Sequence, residues 1–348
     1  MIRAILLRLS RRPWRFLLPV LLLLFFALTL NRTRHGPPRQ QSPYTKLHTK
    51  SFFPPLKSAS SSSVDPDYCA NFPTSQLDNI QVVLKTGAGD KQKSRAHLST
   101  VTSCISNILI VSDHDEKIGD HPVVDVLAEL PASYAVNNTD FQAYADHKKA
   151  HAEGDTVDYA VSGWKLDRFK YLPMVDKAYE LNPTAKWYVF LETNTYFFWD
   201  TLFRLLDQLK STDLHYMGAP GPVSKSNDRD YIFGQAGFVL SQGLMKKLLP
   251  PKASGGFDKL SHRYEENVKN DCCGDAVLAY AILNTTDTRL ESLHPTFSGE
   301  DLREIKVDRE RWCVPLLSLH KIAPEQMEKL WKWERTRPYT IVRQTSDL

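Results

Sequence analysis

The sequence predicts an α/β domain built on a mostly parallel central sheet, carried behind an N-terminal transmembrane helix. Three observations predict it. From about residue 80 onward, short apolar runs of strand length alternate with helical stretches, the pattern of a sheet covered on both faces. An uncharged run, Phe16 to Leu30, sits between arginines near the N-terminus. Charge is also segregated. Residues 1–63 hold 11 Lys/Arg and no Asp or Glu, so the other 285 residues carry 33 basic and 40 acidic side chains in a chain of net charge +4. An acidic main domain gives no support to a nucleic-acid partner. A length of 348 residues, 42% hydrophobic and 24% charged, excludes a collagen, a disordered tail protein and a multi-span membrane protein.

The N-terminal segments follow in order. Residues 1–15 read as a cytoplasmic tail with five arginines, and residues 16–30 as a signal-anchor. Fifteen residues is short against the roughly 20 of an ordinary span, which suits a thin early-secretory membrane. A cleaved signal peptide is the competing reading, but no small-x-small cleavage site follows the run. The arginine excess before the run orients the bulk of the chain to the lumen. Residues 31–66 carry Pro37, Pro38, Pro43, Pro54, Pro55, Pro66 and a serine run, the composition of an extended stem.

Residues 67–348 read as the lumenal domain. Ile80–Leu84, Asn107–Val111 and Lys186–Leu191 are predicted strands. Asp90–Cys104, Phe141–Glu153, Asp167–Leu181 and Thr201–Lys210 are predicted helices, with Leu202, Leu205, Leu206 and Leu209 at helical spacing. Five cysteines in an oxidising compartment allow two disulfides and one thiol. The pairing expected is Cys69 with Cys104, and one of Cys272/Cys273 with Cys313. Asn137 and Asn284 open glycosylation sequons.

Four stretches carry residues suited to chemistry. In Trp187–Trp199 a buried strand runs into Glu192-Thr193-Asn194. Glu192 and Asn194 are two apart and share a face of extended chain, so two oxygen donors at a strand end can hold a hard cation. The same residues also suit an ordinary strand-to-turn junction. Asp275 precedes an apolar helix, as a cap or as a general base. His294 and His320 each suit a hydrogen-bonded strand terminus or a cation ligand. Gly234, Gln235, Ala236 and Gly237 read as a tight turn into a strand, or as a place where backbone approaches a ligand.

The order of these stretches is more specific than any one of them. The anchor and stem are followed by W-Y-V-F-L-E-T-N-T-Y-F-F-W, Tyr216-Met-Gly-Ala-Pro220, F-G-Q-A-G-F-V-L-S, C-C-G-D-A-V-L, L-H-P-T-F and the segment Trp312 to Trp331. Over roughly residues 80–335 the chain resembles glycosyltransferase family 31, the group of Fringe and the core 1 β1,3-galactosyltransferases, and most of all its fungal branch. The resemblance implies a GT-A fold and a Golgi type II enzyme. It implies inverting, β1,3-type transfer of a hexose from a UDP-sugar to a glycan or glycoprotein acceptor, helped by Mn2+. Glu192, Thr193 and Asn194 fall on the family's Asp-x-Asp motif, Asp275 on its base, and His320 or His294 on its metal-binding histidine. Lys170 stands near a basic residue that relatives place beside the nucleotide, and Gly234 to Gly237 would line the acceptor side. A homodimer or transferase complex is compatible with it. The last motif acid is Asn194 here, a neutral amide. A weak metal site, reliance on Glu192, metal-free work, or a non-catalytic glycan- or nucleotide-binding relative all follow from that change.

Overall fold

The computed structural model describes Phe53, Cys69 and residues 72–154, 159–226, 229–309, 311–336 and 344–345. The tail, the signal-anchor and nearly all of the stem lie outside the described residues. Within these residues no helix is long and apolar enough to cross a membrane. Phe53 is buried, and its carbonyl accepts a bond from Arg204 Nη1 at 3.3 Å.

The strands are β1 (Ile80–Lys85), β2 (Ile108–Ser112), β3 (Glu116–Ile118), β4 (His121–Asp125), β5 (Trp187–Glu192), β6 (Tyr196–Phe197), β7 (Tyr216–Ser226), β8 (Arg229–Ser241), β9 (Glu291–Ser292) and β10 (Ser318–Leu319). The helices are α1 (Lys91–Leu98), α2 (Thr139–Glu153), α3 (Tyr159–Leu181), α4 (Trp199–Leu206), α5 (Gln242–Leu248), α6 (Leu260–Arg263), α7 (Glu265–Asn270), α8 (Gly274–Thr286) and α9 (Pro324–Arg335). Eight strands form one sheet in the order β3-β4-β2-β1-β5-β8-β7-β9. β4, β2, β1 and β5 are parallel neighbours, while β3 and β8 run against their neighbours. The mixed α/β architecture matches expectation, with a parallel centre and an antiparallel flank. β6 and β10 pair separately.

Local sequence explains the central elements. Every residue of β1 is buried, as befits a parallel strand covered on both faces. α2 opens on Asn138, whose side chain accepts from the Phe141 amide at 3.2 Å, and closes on Gly154 at φ 78°. α8 is apolar almost all round and buried almost throughout, so it serves as a core helix. It packs close to α3 because residue 274 is glycine: a Cβ there would meet the Arg168 carbonyl oxygen at 2.3 Å. Leu172, Val175, Phe190, Phe238 and Leu278 share the core between these helices and the sheet.

Several expected boundaries move. The helix expected over 90–104 ends at Leu98, because Thr100, Thr102 and Ser103 turn their hydroxyls back onto main-chain carbonyls. α3 begins eight residues before Asp167, at Tyr159, and contains Pro173. α4 stops at Leu206. The 233–241 stretch is the second half of long strand β8, with Ala236 and Gly237 at φ 57° and 77° where its register against β7 slips. Cys69–Cys104 forms as expected. The second expected pairing does not: Cys272 bonds to Cys273, and Cys313 is a free, exposed thiol. Their Cα atoms are 3.8 Å apart, the spacing of chain neighbours.

Candidate active site

β1 has β2 on one side and β5 on the other, so the chain's path across the sheet reverses at β1. Ligands of such sheets bind outside the carboxyl ends of the strands at this reversal. A cleft of about 530 Å3 opens there, lined by Lys85, the 86–90 loop, Lys93, Asp113, Gly163, Asp167, Lys170 and Glu192-Thr193-Asn194. A smaller cavity of about 240 Å3 adjoins it, lined among others by Tyr171, Gly234, Gln235, Ala236, Gly237, Asp275, His320 and Lys321. Lys85 and Glu192 line both.

Glu192 ends β5 opposite Lys85, its Cα partner in β1. Lys85 Nζ lies 2.9 Å from Glu192 Oε1, pairs also with Asp167, and sits 4.4 Å from the centre of the Tyr171 ring. Tyr171 Oη donates to the same Oε1 at 2.6 Å. The other oxygen, Oε2, faces His320 Nε2 at 3.3 Å. Burial opposes the charge on Glu192, but Lys85 and the bonds from His320 and Tyr171 outweigh it and hold the carboxyl below the usual range. Burial likewise opposes the charge on Lys85, and Asp167 and Glu192 raise its pKa in spite of it. His320 comes to Glu192 because the Ile322 amide donates to the Asn194 carbonyl at 2.9 Å, tying its loop to the β5–β6 turn.

The floor of the smaller cavity is different. Asp275 lies in the first turn of α8, where Oδ1 accepts from the Ala276 amide at 2.9 Å. Cys273, not Asp275, is the cap of that helix. Burial is the main influence on Asp275 and pushes its pKa up to about 6, with repulsion from Glu192 adding to it. The bulge at Ala236 and Gly237 makes the opposite wall. A Cβ on Gly237 would lie 3.0 Å from the Phe190 carbonyl, so glycine lets β8 hug β5 there.

Most of the expected site residues converge: Lys170, Glu192, Thr193 and Asn194 on the cleft, and Asp275, His320 and Gly234 to Gly237 on the cavity. Lys170 donates to the Thr86 carbonyl at 2.8 Å and pairs with Asp113 at 2.9 Å. His294 lines neither space; its Nε2 lies 3.9 Å from Glu300. Lys85, Tyr171, Asp113 and Asp167 escaped the sequence reading. The signal for Lys85 was visible, since a lysine closing an otherwise apolar strand is a charge delivered to a strand end. Among the described residues, the one close trio of Asp, Glu, His or Cys side chains is Asp271, Cys272 and Cys273, and its two sulfurs are bonded to each other.

A polar cleft at the carboxyl ends of the strands, opening onto a smaller cavity, is where an open α/β sheet binds a ligand. The profile of the Fringe-like family matches residues 132–327. The chain belongs to the Fringe-like family, and with it to the glycosyltransferases. No curated protein matches it in sequence. Among solved structures it is similar to a glycosyltransferase involved in the glycosylation of the major capsid of PBCV-1. That likeness has 9% identity and a TM-score of 0.38, covering 73% of this chain and 98% of the other, too distant to inform the site.

Proposed function

We propose that the chain is a Golgi type II glycosyltransferase that moves a hexose from a UDP-sugar to a glycan hydroxyl, with inversion and a β1,3-type linkage. The observation that carries this reading is the pair of joined spaces with Glu192 at their junction and Asp275 in the smaller one. The nucleotide-sugar occupies the larger cleft and the acceptor hydroxyl the smaller cavity. Asp275, buried and ionised above a pKa that burial pushes up to about 6, takes the acceptor's proton as the acceptor oxygen attacks the anomeric carbon. The diphosphate departs on the opposite side.

The residues fit a divalent cation. Three lysines face four carboxylates in the larger cleft, leaving a lining of net negative charge that an anionic diphosphate would not enter without added positive charge. Asn194 Oδ1 is buried with no hydrogen-bond partner, and such an oxygen calls for one. Glu192 Oε2, His320 Nε2 and Asn194 Oδ1 would hold the ion, with His320 favoured over His294. Mn2+ in that place would neutralise the diphosphate and favour its departure. Asn194 supports a second reading, a non-catalytic nucleotide or glycan binder, because an amide contributes no charge to the ion.

The full-length chain separates the two. UDP-sugar turnover with an acceptor glycan, dependent on Asp275 and raised by Mn2+, is the expected result. UDP binding without turnover for any donor tested supports the binder instead.

A further inference from the structure

We propose that Lys85 is a catalytic residue whose ammonium meets the leaving diphosphate oxygen of the donor. The inference rests on the reading that the larger cleft takes the nucleotide-sugar and the smaller cavity the acceptor. The anomeric carbon is bonded to the diphosphate before the reaction and to the acceptor after it. It must therefore sit where the two spaces join. Lys85 and Glu192 are the residues that line both. Glu192 is an anion and would oppose charge developing on the diphosphate. Lys85 is the cation at that place.

Its setting suits the task. Lys85 closes β1, the strand at the reversal of the sheet, and its side chain is 6% exposed. Asp167 and Glu192 each hold Nζ, and the Tyr171 ring lies against it. An ammonium has three N–H donors. Two are spent on these carboxylates and one remains to point at a ligand. A charge fixed beforehand where negative charge develops costs no reorganisation in the transition state. Lys170 offers a contrast: it bonds the Thr86 carbonyl and Asp113, has Asp167 at 3.6 Å, and lines the larger cleft alone. Lys85 also lies outside the 132–327 stretch that the family profile matches.

The step balances without a further reactant. A bond forms between the acceptor oxygen and the anomeric carbon as the bond from that carbon to the diphosphate oxygen breaks. The bonding pair stays on the diphosphate oxygen, against Lys85, and the acceptor proton passes to Asp275.

The test uses the full-length chain and its Lys85→Met and Lys85→Arg variants, with donor turnover and the affinities of UDP and UMP as readouts. Lys85→Met is expected to lower kcat by about 100-fold or more. It should also erase most of the advantage of UDP over UMP, leaving UMP binding within about threefold of the parent, since UMP lacks the phosphate in question. Lys85→Arg, which keeps the charge, is expected to stay at least about tenfold more active than Lys85→Met. A merely structural lysine would not move the UDP-to-UMP ratio. If Lys85→Met fails to fold, the charge-balanced pair Lys85→Met/Asp167→Asn replaces it, with Asp167→Asn as its reference and the same expected losses. A kcat within about threefold of the reference, or an unchanged UDP-to-UMP ratio, overturns the role of Lys85 alone. Absence of UDP binding by the parent chain overturns the nucleotide-sugar reading, and the role of Lys85 with it.

Discussion

The wall around Glu192 and the floor around Asp275 hold carboxylates in opposite surroundings. Glu192 is met by Lys85, Tyr171 and His320. Asp275 accepts from one backbone amide, and Lys85 favours its charge less than burial opposes it. Both are desolvated, yet one is held charged and the other is pushed up to about 6. Two carboxyls whose environments drive their proton affinities apart can divide the work: one stays an anion, and the other takes up and gives back a proton. Lys85 pairs directly with Glu192 and reaches Asp275 only through its field, so burial dominates at Asp275 and leaves it a carboxyl suited to act as a base.

The sharpest way to break this comparison is to neutralise each carboxyl in turn. Asp275→Asn is expected to lower kcat by about 10²–10⁴-fold, the range of a lost general base. It should also raise stability at pH 7.5 by about 1–3 kcal/mol, because a buried carboxylate with a raised pKa weakens the fold once it ionises. Turnover and thermal melts read both effects, and a loss of stability would mean that Asp275 serves the helix instead. Glu192→Gln is expected to cut turnover by about 100-fold and, unlike Asp275→Asn, to destabilise, since Lys85 and His320 lose an anionic partner. Equal stability shifts of the same sign in the two variants would dissolve the contrast.

Smaller effects sharpen it. His320→Ala is expected to weaken Mn2+ binding by about tenfold in calorimetry, while His294→Ala leaves it unchanged. The reverse result would move the ion away from Glu192. Asn194→Asp adds a charge beside the ion and is expected to tighten Mn2+ by a few-fold up to about tenfold. Weaker binding would place Asn194 outside the ligand set. The gentlest probe is pH. Asp275 is uncharged below its pKa of about 6 and ionised above it, so kcat/KM should rise with pH and reach half its plateau near pH 6. A profile flat from pH 5 to 8 would remove Asp275 as the base.

Much of the fold was legible because its strands are nearly continuous apolar runs. The runs read as β1, β2 and β5 all form, within a residue or so at each end. Helix ends were less legible, as at Leu98, where threonine and serine hydroxyls compete for carbonyls. The bulge in β8 was read as a turn, since a glycine pair marks either one. In the site, Glu192, Asn194 and Asp275 announced themselves as polar residues beside apolar elements. Lys85 and Tyr171 did not, because their role depends on partners far along the chain: Glu192 is 107 positions from Lys85 and 21 from Tyr171. The second disulfide shows the same limit: the cysteine count predicts the number of bridges but not which sulfurs meet.

By itself the sequence determined the alternation of strands and helices, the split between a basic N-terminal part and an acidic domain, and the polar residues delivered to strand ends. These depend on neighbours in the chain, and periodicity and composition record them. Tertiary structure alone decided that His320, not His294, faces Glu192, that Lys85 stands at the junction of two cavities, and that burial outweighs the pull of Lys85 on Asp275. Those outcomes depend on which strand ends the sheet order brings side by side. Charge–charge interactions act through space, and the spacing of residues along the chain carries no record of it.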